Sequence, residues 1–299
     1  MDRLTEMQIY VAVAECEGFA AAARRLTISP PVATRAVADL EARLGVKLLN
    51  RTTRYVRVTD AGQRYLEDAR RVIAAADEAD EAAIGVNGEP RGHLTVTAPV
   101  LFGRIYVMPG IVDYLQRFPA TEVSALFVDR VVNLLEEGID VALRIGELGD
   151  SSFHAVRVGS VRRVLCASPE YIVRHGLPAH PGALLNHQLI VATNLGMNIE
   201  WRFMQDGKPL SIRIKPRLSV TSNDSAIEAA VCGLGITRVM SYQIAHELEQ
   251  GKLKILLSEF EPDIVPVHIL HREGRYSSAK IRSFIDLLAE RLRAHKSLN

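Results

Sequence analysis

Small and basic residues at the start of one predicted helix have the chemistry needed to read DNA base edges. This helix is predicted to begin after Ser29, an N-cap residue, with Pro30 and Pro31 in its first turn, where a missing N–H costs little. Thr34 and Arg35 follow on its outer side. An arginine can donate to both O6 and N7 of guanine, and threonine or proline can contact a thymine methyl group. The alternative is that Arg35 only solvates an exposed helix face.

A second basic group follows in a predicted hairpin. Residues 47–49 and 55–58 have the composition of short strands, and the chain between them is polar. The residues suited to grip DNA phosphates there are Arg51, Thr52, Thr53 and Arg54. The alternative is an ordinary charged surface hairpin.

Other helices are needed to position these residues. Apolar residues from Leu4 onward recur at helical spacing up to Gly18, and an alanine-rich helix follows over 19–26. The helix that starts after Ser29 is predicted to end at Gly45 and to bury Ala33, Val37, Leu40 and Leu44. Helix, turn, helix and basic hairpin in this order are typical of a winged helix-turn-helix, which places a helix N-terminus in the major groove.

The charge of the chain is distributed unevenly. The 299 residues have a net charge of +1 and are 48% apolar, which predicts about two domains with substantial cores. Residues 21–57 hold eight basic and two acidic side chains, whereas 60–90 hold eight acidic and three basic ones. This asymmetry indicates a nucleic-acid-binding segment attached to a larger body. The sequence has three dispersed cysteines, no N-terminal leader pattern and no long apolar run. These features predict a cytoplasmic protein that is not embedded in a membrane.

A long helix is predicted to follow Thr59 and to run to about residue 87, before a turn-rich hinge over 87–92. Its apolar stripe is either docked on its own chain or paired with a second copy, and its length favours pairing. The residues predicted to form the dimer contact are Leu66, Ala69, Ile73, Ala76 and Ala83.

From residue 91 onward, apolar strand-like runs alternate with helical patterns, which predicts parallel α/β sheets. The predicted strands are 94–98, 122–128, 140–145, 164–167, 189–193, 212–220 and 265–270. The predicted helices include 130–137, 223–231 and 277–293, and Asp206-Gly207 is a hairpin signal.

The N-terminal residues resemble the signature of LysR-type transcriptional regulators. The matching residues include Gly18-Phe19, Ala22-Ala23, Leu26, Ser29, Pro31, Thr34-Arg35, Leu40-Glu41, Leu44-Gly45, Arg51-Thr52-Thr53-Arg54, Thr59 and Gly62. Motifs across the rest of the chain extend the resemblance, among them Ala98-Pro99, Glu137-Gly138-Ile139-Asp140, Arg144-Ile145-Gly146, Ala167-Ser168-Pro169 and Gly233-Leu234-Gly235-Ile236.

The resemblance implies an α/β protein with an N-terminal winged helix-turn-helix and a two-lobed effector domain like a periplasmic binding protein. The expected divisions are a DNA-binding domain (1–59), a linker helix and hinge (60–90) and an effector domain (91–299), with lobe I over 91–161 and 267–299 and lobe II over 162–266. The implied partners are double-stranded DNA with an inverted-repeat operator, a second copy in a homodimer or homotetramer, a small-molecule effector and RNA polymerase.

The chain departs from the family pattern at several positions. Pro30 stands where relatives often have Gln, and Thr34 where they often have Ser, so the preferred half-site is expected to differ. Arg238 takes the place of a frequent apolar residue and Met240 that of a frequent Pro.

The effector is expected beyond the carboxyl ends of strands in the two lobes. The predicted lining residues are Pro99, Val100, Leu101, Phe102, Arg144, Gly146, Thr193, Ser222 and Asn223. The helix that starts at Ser222 offers N–H donors to an anion, although Asp224 offsets part of that potential. The apolar corner at Val100 and Leu101 predicts a bulky or apolar effector. Arg144 is either a counter-ion for the effector or a partner of Glu147 or of a carboxylate in the other lobe.

Enzyme signatures are missing from the sequence, so no catalytic residue, cofactor or metal ligand is predicted. It contains no nucleophile elbow, phosphate loop or His-Glu-x-x-His motif. His268 and His271 fall on opposite faces of a strand, which disfavours a shared metal. Cys232 is predicted to be a buried small residue, with a redox sensor as the alternative. The competing classes are a solute-binding protein, and then a catalytic α/β protein.

Overall fold

The computed structural model describes residues 1–51, 56–84, 89–149, 153–192, 199–272 and 278–298. The chain divides into two compact units, residues 1–88 and 89–299. Predicted site residues Thr52, Thr53, Arg54 and Thr193 lie outside the described residues.

The first unit is a helical domain with a two-stranded hairpin. Its elements are α1 (Arg3–Glu15), α2 (Phe19–Arg25), α3 (Pro30–Leu44), β1 (Leu49–Arg51), β2 (Val56–Val58) and α4 (Asp60–Ile84). Asp2 caps α1 by accepting from the Thr5 N–H at 2.9 Å, and Gly45 ends α3 with φ 68°. Thr59 caps α4 by accepting from the Gly62 N–H at 2.9 Å. The predicted helix boundaries in this unit are confirmed to within a few residues.

Two local predictions for α3 are wrong. Ser29 holds the N-cap backbone position, but its hydroxyl makes no cap hydrogen bond. The reason is that Pro30 and Pro31 have no N–H, while the first available donor, Val32 N–H, bonds to the Ser29 carbonyl at 3.0 Å. Leu44, predicted to be buried, is exposed because it lies in the last turn, beyond the residues that α1 and α2 cover.

The core of the first unit is formed where α1, α2 and α3 meet. Tyr10, Ala22, Val37 and Leu40 are among its fully buried residues. Alanine in α2 lets the neighbouring helices approach closely. The start of α4 closes this core with Leu66.

The second unit consists of two five-stranded sheets, a hairpin and surrounding helices. Lobe I has β3 (Gly92–Ala98), β4 (Thr121–Phe127), β5 (Val141–Ile145), β6 (Phe153–Val161) and β14 (Val265–Arg272), with helices α5 (Val100–Phe102), α6 (Met108–Arg117) and α10 (Ala279–Arg293). Gly103–Val107 forms a π-helical turn between α5 and α6.

Lobe II has β7 (Arg163–Ala167), β8 (Leu189–Ala192), β9 (Ile199–Gln205), β10 (Lys208–Ile214), β11 (Leu218–Val220), β12 (Ile236–Met240) and β13 (Lys254–Leu256). Its helices are α7 (Pro169–His175), α8 (Asn223–Val231) and α9 (Ala245–Glu249), and 3-10 turns include Pro181–Asn186 and Ser241–Ile244. The β9–β10 hairpin turns at Asp206 and Gly207, both at positive φ, as the sequence predicted.

Both sheets are mixed, which corrects the prediction of purely parallel sheets. The strand orders are β4-β3-β5-β14-β6 and β11-β8-β12-β7-β13. In lobe I, β3 is parallel to β4 and β5, whereas β14 is antiparallel to β5 and β6. The antiparallel strands arise because β6 carries the chain out of lobe I and β14 brings it back from lobe II. Val265 and Pro266 therefore belong to the lobe I sheet rather than to lobe II.

Two predicted elements of the second unit are also wrong. Residues 130–137 form turns rather than a helix, because the Asn133 side chain accepts from the Leu135 and Glu136 N–H groups and Glu137 accepts two hydrogen bonds from Arg130. The predicted strand 212–220 is two strands, β10 and β11, which separate at Pro216, a residue without an N–H for a ladder.

Candidate DNA-binding surface and effector cleft

The outer face of α3 is open. Ser29, Pro30, Pro31, Thr34 and Arg35 are all exposed. The side chain of Arg35 is 86% exposed, and among the described residues it makes one ion-pair contact, with the exposed Asp39 at 3.9 Å, which is a weak surface interaction. The Thr34 hydroxyl donates to the Pro30 carbonyl at 3.0 Å, one turn back. The residues predicted to contact bases therefore lie together on one helical surface.

Other basic residues near this surface hold the domain together. Arg43 pairs with Glu6 at 2.9 Å and Arg25 pairs with Glu15 at 2.7 Å. Glu15, in α1, also bonds Arg70 of α4 at 2.7 Å, so one carboxylate joins three helices. Burial raises the pKa of Glu15, but the hydrogen bonds from Arg70 and Arg25 outweigh this effect and the pKa lies below its ordinary value. These side chains are structural, although the charge count grouped two of the arginines with the DNA-facing residues.

Glu41 links α3 to the hairpin, and the sequence analysis gave it no role of its own. Its buried carboxylate accepts from the Leu48 N–H at 2.9 Å, the Leu49 N–H at 3.1 Å and the Lys47 ammonium at 2.7 Å. Burial raises its pKa, yet the Lys47 and backbone hydrogen bonds prevail and the pKa is lowered. Glu41 lies on the core-facing side of α3, where a charged residue is unusual. This position was the signal in the sequence that could have indicated its structural role.

The hairpin forms, but its first strand is shifted: residues 47–49 were predicted and β1 covers Leu49–Arg51, so Arg51 lies in the strand. Leu49 pairs with Val58 and Arg51 with Val56 in antiparallel register. Arg51 is thus the last described residue before the tip, which is the part predicted to contact phosphates.

The predicted effector residues after β3 divide into two groups. Pro99 is half-buried and Val100 is 36% exposed at the end of the strand. Leu101 and Phe102 are buried in the core, so their prediction as lining residues is corrected. The Phe102 ring lies 4.9 Å from that of Tyr106 and 5.3 Å from that of Tyr242 in lobe II. These aromatic residues join the two lobes.

Carboxylates lie near this aromatic contact on both sides. Asp129 of lobe I accepts from the Val100 N–H at 3.0 Å. Burial is the main cause that raises the pKa of Tyr242, and the charges of Asp129 and Asp224 add to it. Asp129 of lobe I and Asp224 of lobe II thus both act electrostatically on Tyr242.

Ser222 and Asn223 start helix α8. The Ser222 hydroxyl caps this helix by accepting from the Ser225 N–H at 3.3 Å, and it donates to the Ser225 hydroxyl at 2.9 Å. Both residues are half-buried.

Arg144 and Gly146 are not part of the same site. They line an open pocket of about 360 Å³ formed by lobe I residues, and neither Val100 nor Ser222 is among its lining residues. Arg144 donates to the Val132 carbonyl at 3.4 Å, and burial lowers its pKa while the nearby Glu137 raises it. Its charged neighbour is thus Glu137, which was not among the partners considered from the sequence, and the alternative role of Arg144 as an effector counter-ion stays a prediction.

Comparison with known proteins agrees with this architecture. Residues 4–63 match the family model of the bacterial regulatory helix-turn-helix protein, lysR family, and residues 87–293 match the LysR substrate binding domain. The chain belongs to the LysR family. It is a LysR-type DNA-binding transcriptional regulator with an effector-binding domain, and the helix-turn-helix match rules against the alternative of a plain solute-binding protein.

Full-length relatives span the whole regulator. The transcriptional regulator CrgA of Neisseria meningitidis serogroup B is 30% identical over 288 residues, which are 96% of each chain. A solved structure of CrgA, also at 30% identity, covers 96% of this chain and 98% of its own with a TM-score of 0.62. The full-length structure of AphB, a Vibrio cholerae virulence activator, is 25% identical and covers 97% and 99% with a TM-score of 0.64.

The predicted dimer residues of this LysR-type regulator occupy different positions on α4. Leu66 and Ala69 are buried within their own unit, so their prediction as contact residues for a second copy is corrected. Ile73 and Ala76 continue the same stripe and are only partly buried. The side chain of Ala83 lies outside the described residues.

The structure also shows the surroundings of Cys232, His268 and His271. Cys232 is exposed at the end of α8, so the prediction of burial is wrong; Cys166 is the buried one. His268 is in register with Arg144, whereas His271 stacks on His154 at 5.4 Å. No helix among the described residues has the length and apolarity to cross a membrane.

Proposed function

We propose that this regulator recognises an inverted-repeat operator through α3, with Arg35 reading a guanine and Thr34 and Pro31 contacting neighbouring bases or sugars. The observation that supports this assignment is the exposure of Arg35 beside basic residues that are held in ion pairs. Arg51, Thr52, Thr53 and Arg54 of the hairpin would grip phosphates. Because Pro30 and Pro31 leave the start of α3 without free N–H groups, side chains rather than the helix backbone must supply the contacts there.

Binding to the DNA upstream of its own gene tests this proposal. Fluorescence anisotropy with that DNA and with a scrambled duplex is measured over a salt series. We expect tighter binding to the upstream DNA and a steep loss of affinity as salt rises, since phosphate contacts release counterions. Equal affinity for the two duplexes at every salt concentration contradicts sequence-specific recognition.

A twofold dimer would present two α3 helices to successive major grooves, which is why the operator is proposed to be an inverted repeat. The support is the partly exposed Ile73 and Ala76 on α4, beyond the part of the stripe that its own unit buries. A helix of 25 residues is about 37 Å long, enough to extend past a small domain.

The effector is proposed to lie between the lobes at Pro99, Val100, Ser222 and Asn223, and to be a neutral or cationic molecule with an apolar body. Asp129 already occupies the Val100 N–H, and Asp224 faces the same region. A carboxylate effector would meet like charge from both lobes, which disfavours it. Occupancy would shift the equilibrium between lobe arrangements and so alter the DNA bend or a contact with RNA polymerase.

A further inference from the structure

Arg238 is a charged residue beside the apolar side chains of the hairpin in lobe II. It lies in β12, and its guanidinium points toward the β9–β10 hairpin. Its guanidinium carbon is 5.9 Å from the centre of the Trp201 ring and 5.6 Å from that of Phe203. Its Nη1 nitrogen is buried and has no hydrogen-bond partner within the described part of the chain. Burying a donor without a hydrogen-bond partner costs free energy of folding, so we expect an acceptor next to this nitrogen.

The charges around Arg238 are of the same sign. Arg163 of β7 and Arg202 of β9 both act on it, and together with burial, the main cause, they lower the pKa of Arg238 to about 10. Burial and Arg202 also lower the pKa of Arg163. Arg163 and Arg238 both line the space between the lobe II sheet and the hairpin, and the charge of Arg163 disfavours that of Arg238.

The nearby carboxylate does not neutralise this group. Glu261 lies at the edge of the cluster, but both of its oxygens accept from Nη1 of Arg162, at 3.0 and 3.2 Å. Burial raises the pKa of Glu261, and the charge and hydrogen bonds of Arg162 oppose this shift. Arg162 and Glu261 compensate each other and leave Arg163 and Arg238 as net positive charge.

A small cavity lies between these groups. Its volume is about 10 Å³, and its walls include Arg163, Arg238, Glu261 and apolar side chains of β7, β9 and β13. A space of this size holds roughly one water-sized particle, which excludes carboxylates and phosphates. We infer that this cavity is a binding site for a single halide ion, chloride under ordinary conditions, which accepts from Arg238 and compensates the arginine cluster.

This site is independent of the proposed effector cleft. Leu165, Trp201 and Phe203 belong to the apolar cluster on the hairpin side of the lobe II sheet. Val164 and Cys166, whose side chains alternate with Leu165 along β7, belong to the cluster that contains Phe102 and Tyr242 at the lobe contact. The halide would therefore stabilise lobe II from the opposite face of its sheet.

Trp201 provides a local probe, because it is the single tryptophan of the chain and is only 5% exposed. The full-length protein is titrated with bromide at constant ionic strength, with gluconate as the balancing anion that is too large to enter. We expect a saturable loss of Trp201 fluorescence by the heavy-atom effect, reversed by added chloride. Arg238→Gln should abolish the saturable part, whereas the exposed Arg213→Gln in the same hairpin should leave it unchanged.

Thermal unfolding gives a second readout that does not depend on fluorescence. Once chloride exceeds its Kd, each tenfold rise at constant ionic strength should raise the Tm by roughly 3–6 °C in the wild type and in Arg213→Gln, and not in Arg238→Met. A linear bromide response that chloride does not reverse, with a Tm independent of chloride, would overturn the inference and leave the cavity to a water molecule. If Arg238 variants fail to fold, the chloride competition in the wild type still decides the question.

Discussion

Glu41 shows how one buried carboxylate organises the DNA-binding unit. It holds the backbone of Leu48 and Leu49 at the base of the hairpin, and its folded pKa lies below the usual value of 4.5. The stability that this lowered pKa supplies is therefore fully present above about pH 4.5 and is lost as the pH falls through the folded pKa. We expect Glu41→Gln to destabilise the unit by about 1–3 kcal/mol at neutral pH, and the difference from wild type to shrink in acid.

Differential scanning calorimetry of the full chain over a pH series measures this effect. Asp39→Asn is the matched control, because Asp39 lies in the same helix and its side chain is exposed. Equal destabilisation by both substitutions, or a difference that does not depend on pH, would show that the charge of Glu41 has no special role.

Substitutions of Arg35 and Arg54 should distinguish base recognition from phosphate binding. We expect Arg35→Ala to lose about 1–3 kcal/mol on the operator and to relax specificity at one base pair, whereas Arg54→Ala weakens binding to all sequences alike. Anisotropy measurements on a set of single-base operator variants test both. If Arg35→Ala loses the same affinity on operator and scrambled DNA, Arg35 does not read a base.

At the scale of secondary-structure elements, the hairpin and α4 pack tightly against each other at Gly62. A Cβ on Gly62 would lie 2.1 Å from the Leu48 carbonyl oxygen and 2.8 Å from Val58 Cγ1. Gly62→Ala must therefore push α4 away from the hairpin, at a cost of about 1–3 kcal/mol or more. In Gly18→Ala the nearest atom is 3.7 Å away, so this control should change much less. Thermal unfolding that ranks the two variants equally would contradict the packing argument.

Helix α4 is also the element expected to join two chains. Ile73→Glu places a charge on the partly exposed continuation of the Leu66 stripe and should weaken self-association. Val72→Glu is the control, since Val72 is the adjacent, exposed residue and points about 100° away around the helix. Sedimentation equilibrium measures both. An unchanged association constant for Ile73→Glu would remove α4 from the dimer contact.

At the scale of the whole molecule, basic and acidic residues are concentrated in different parts of the chain. Basic residues concentrate in the DNA-binding unit and acidic ones on α4, so the net charge of +1 describes neither. The effector domain adds two carboxylates at the contact between lobes. We expect a thermal-shift screen to find stabilising compounds among neutral and cationic molecules, and Asp129→Asn to weaken the cationic ones selectively. A carboxylate that stabilises the wild type more strongly than Asp129→Asn would contradict this assignment.

Much of the fold followed from local patterns. The start of α3 at Ser29, its end at Gly45 and the Asp206-Gly207 turn were predictable because caps and turns depend on a few adjacent residues. Helical spacing and the motif match also predicted the winged helix-turn-helix and the two-lobed domain, since each depends on residue type and order along the chain.

Other features depend on residues that are distant in sequence. The long strand β6, the antiparallel return of β14 and the separation of Arg144 from the cleft follow from which strands pair, and the apolar pattern of one strand does not specify its partner. Likewise, Phe102 is a core residue that packs against Tyr242 from the other lobe. Sequence thus specified most of the helices and their caps and turns, whereas contacts across long sequence separations determined which strands pair and which side chains remain exposed.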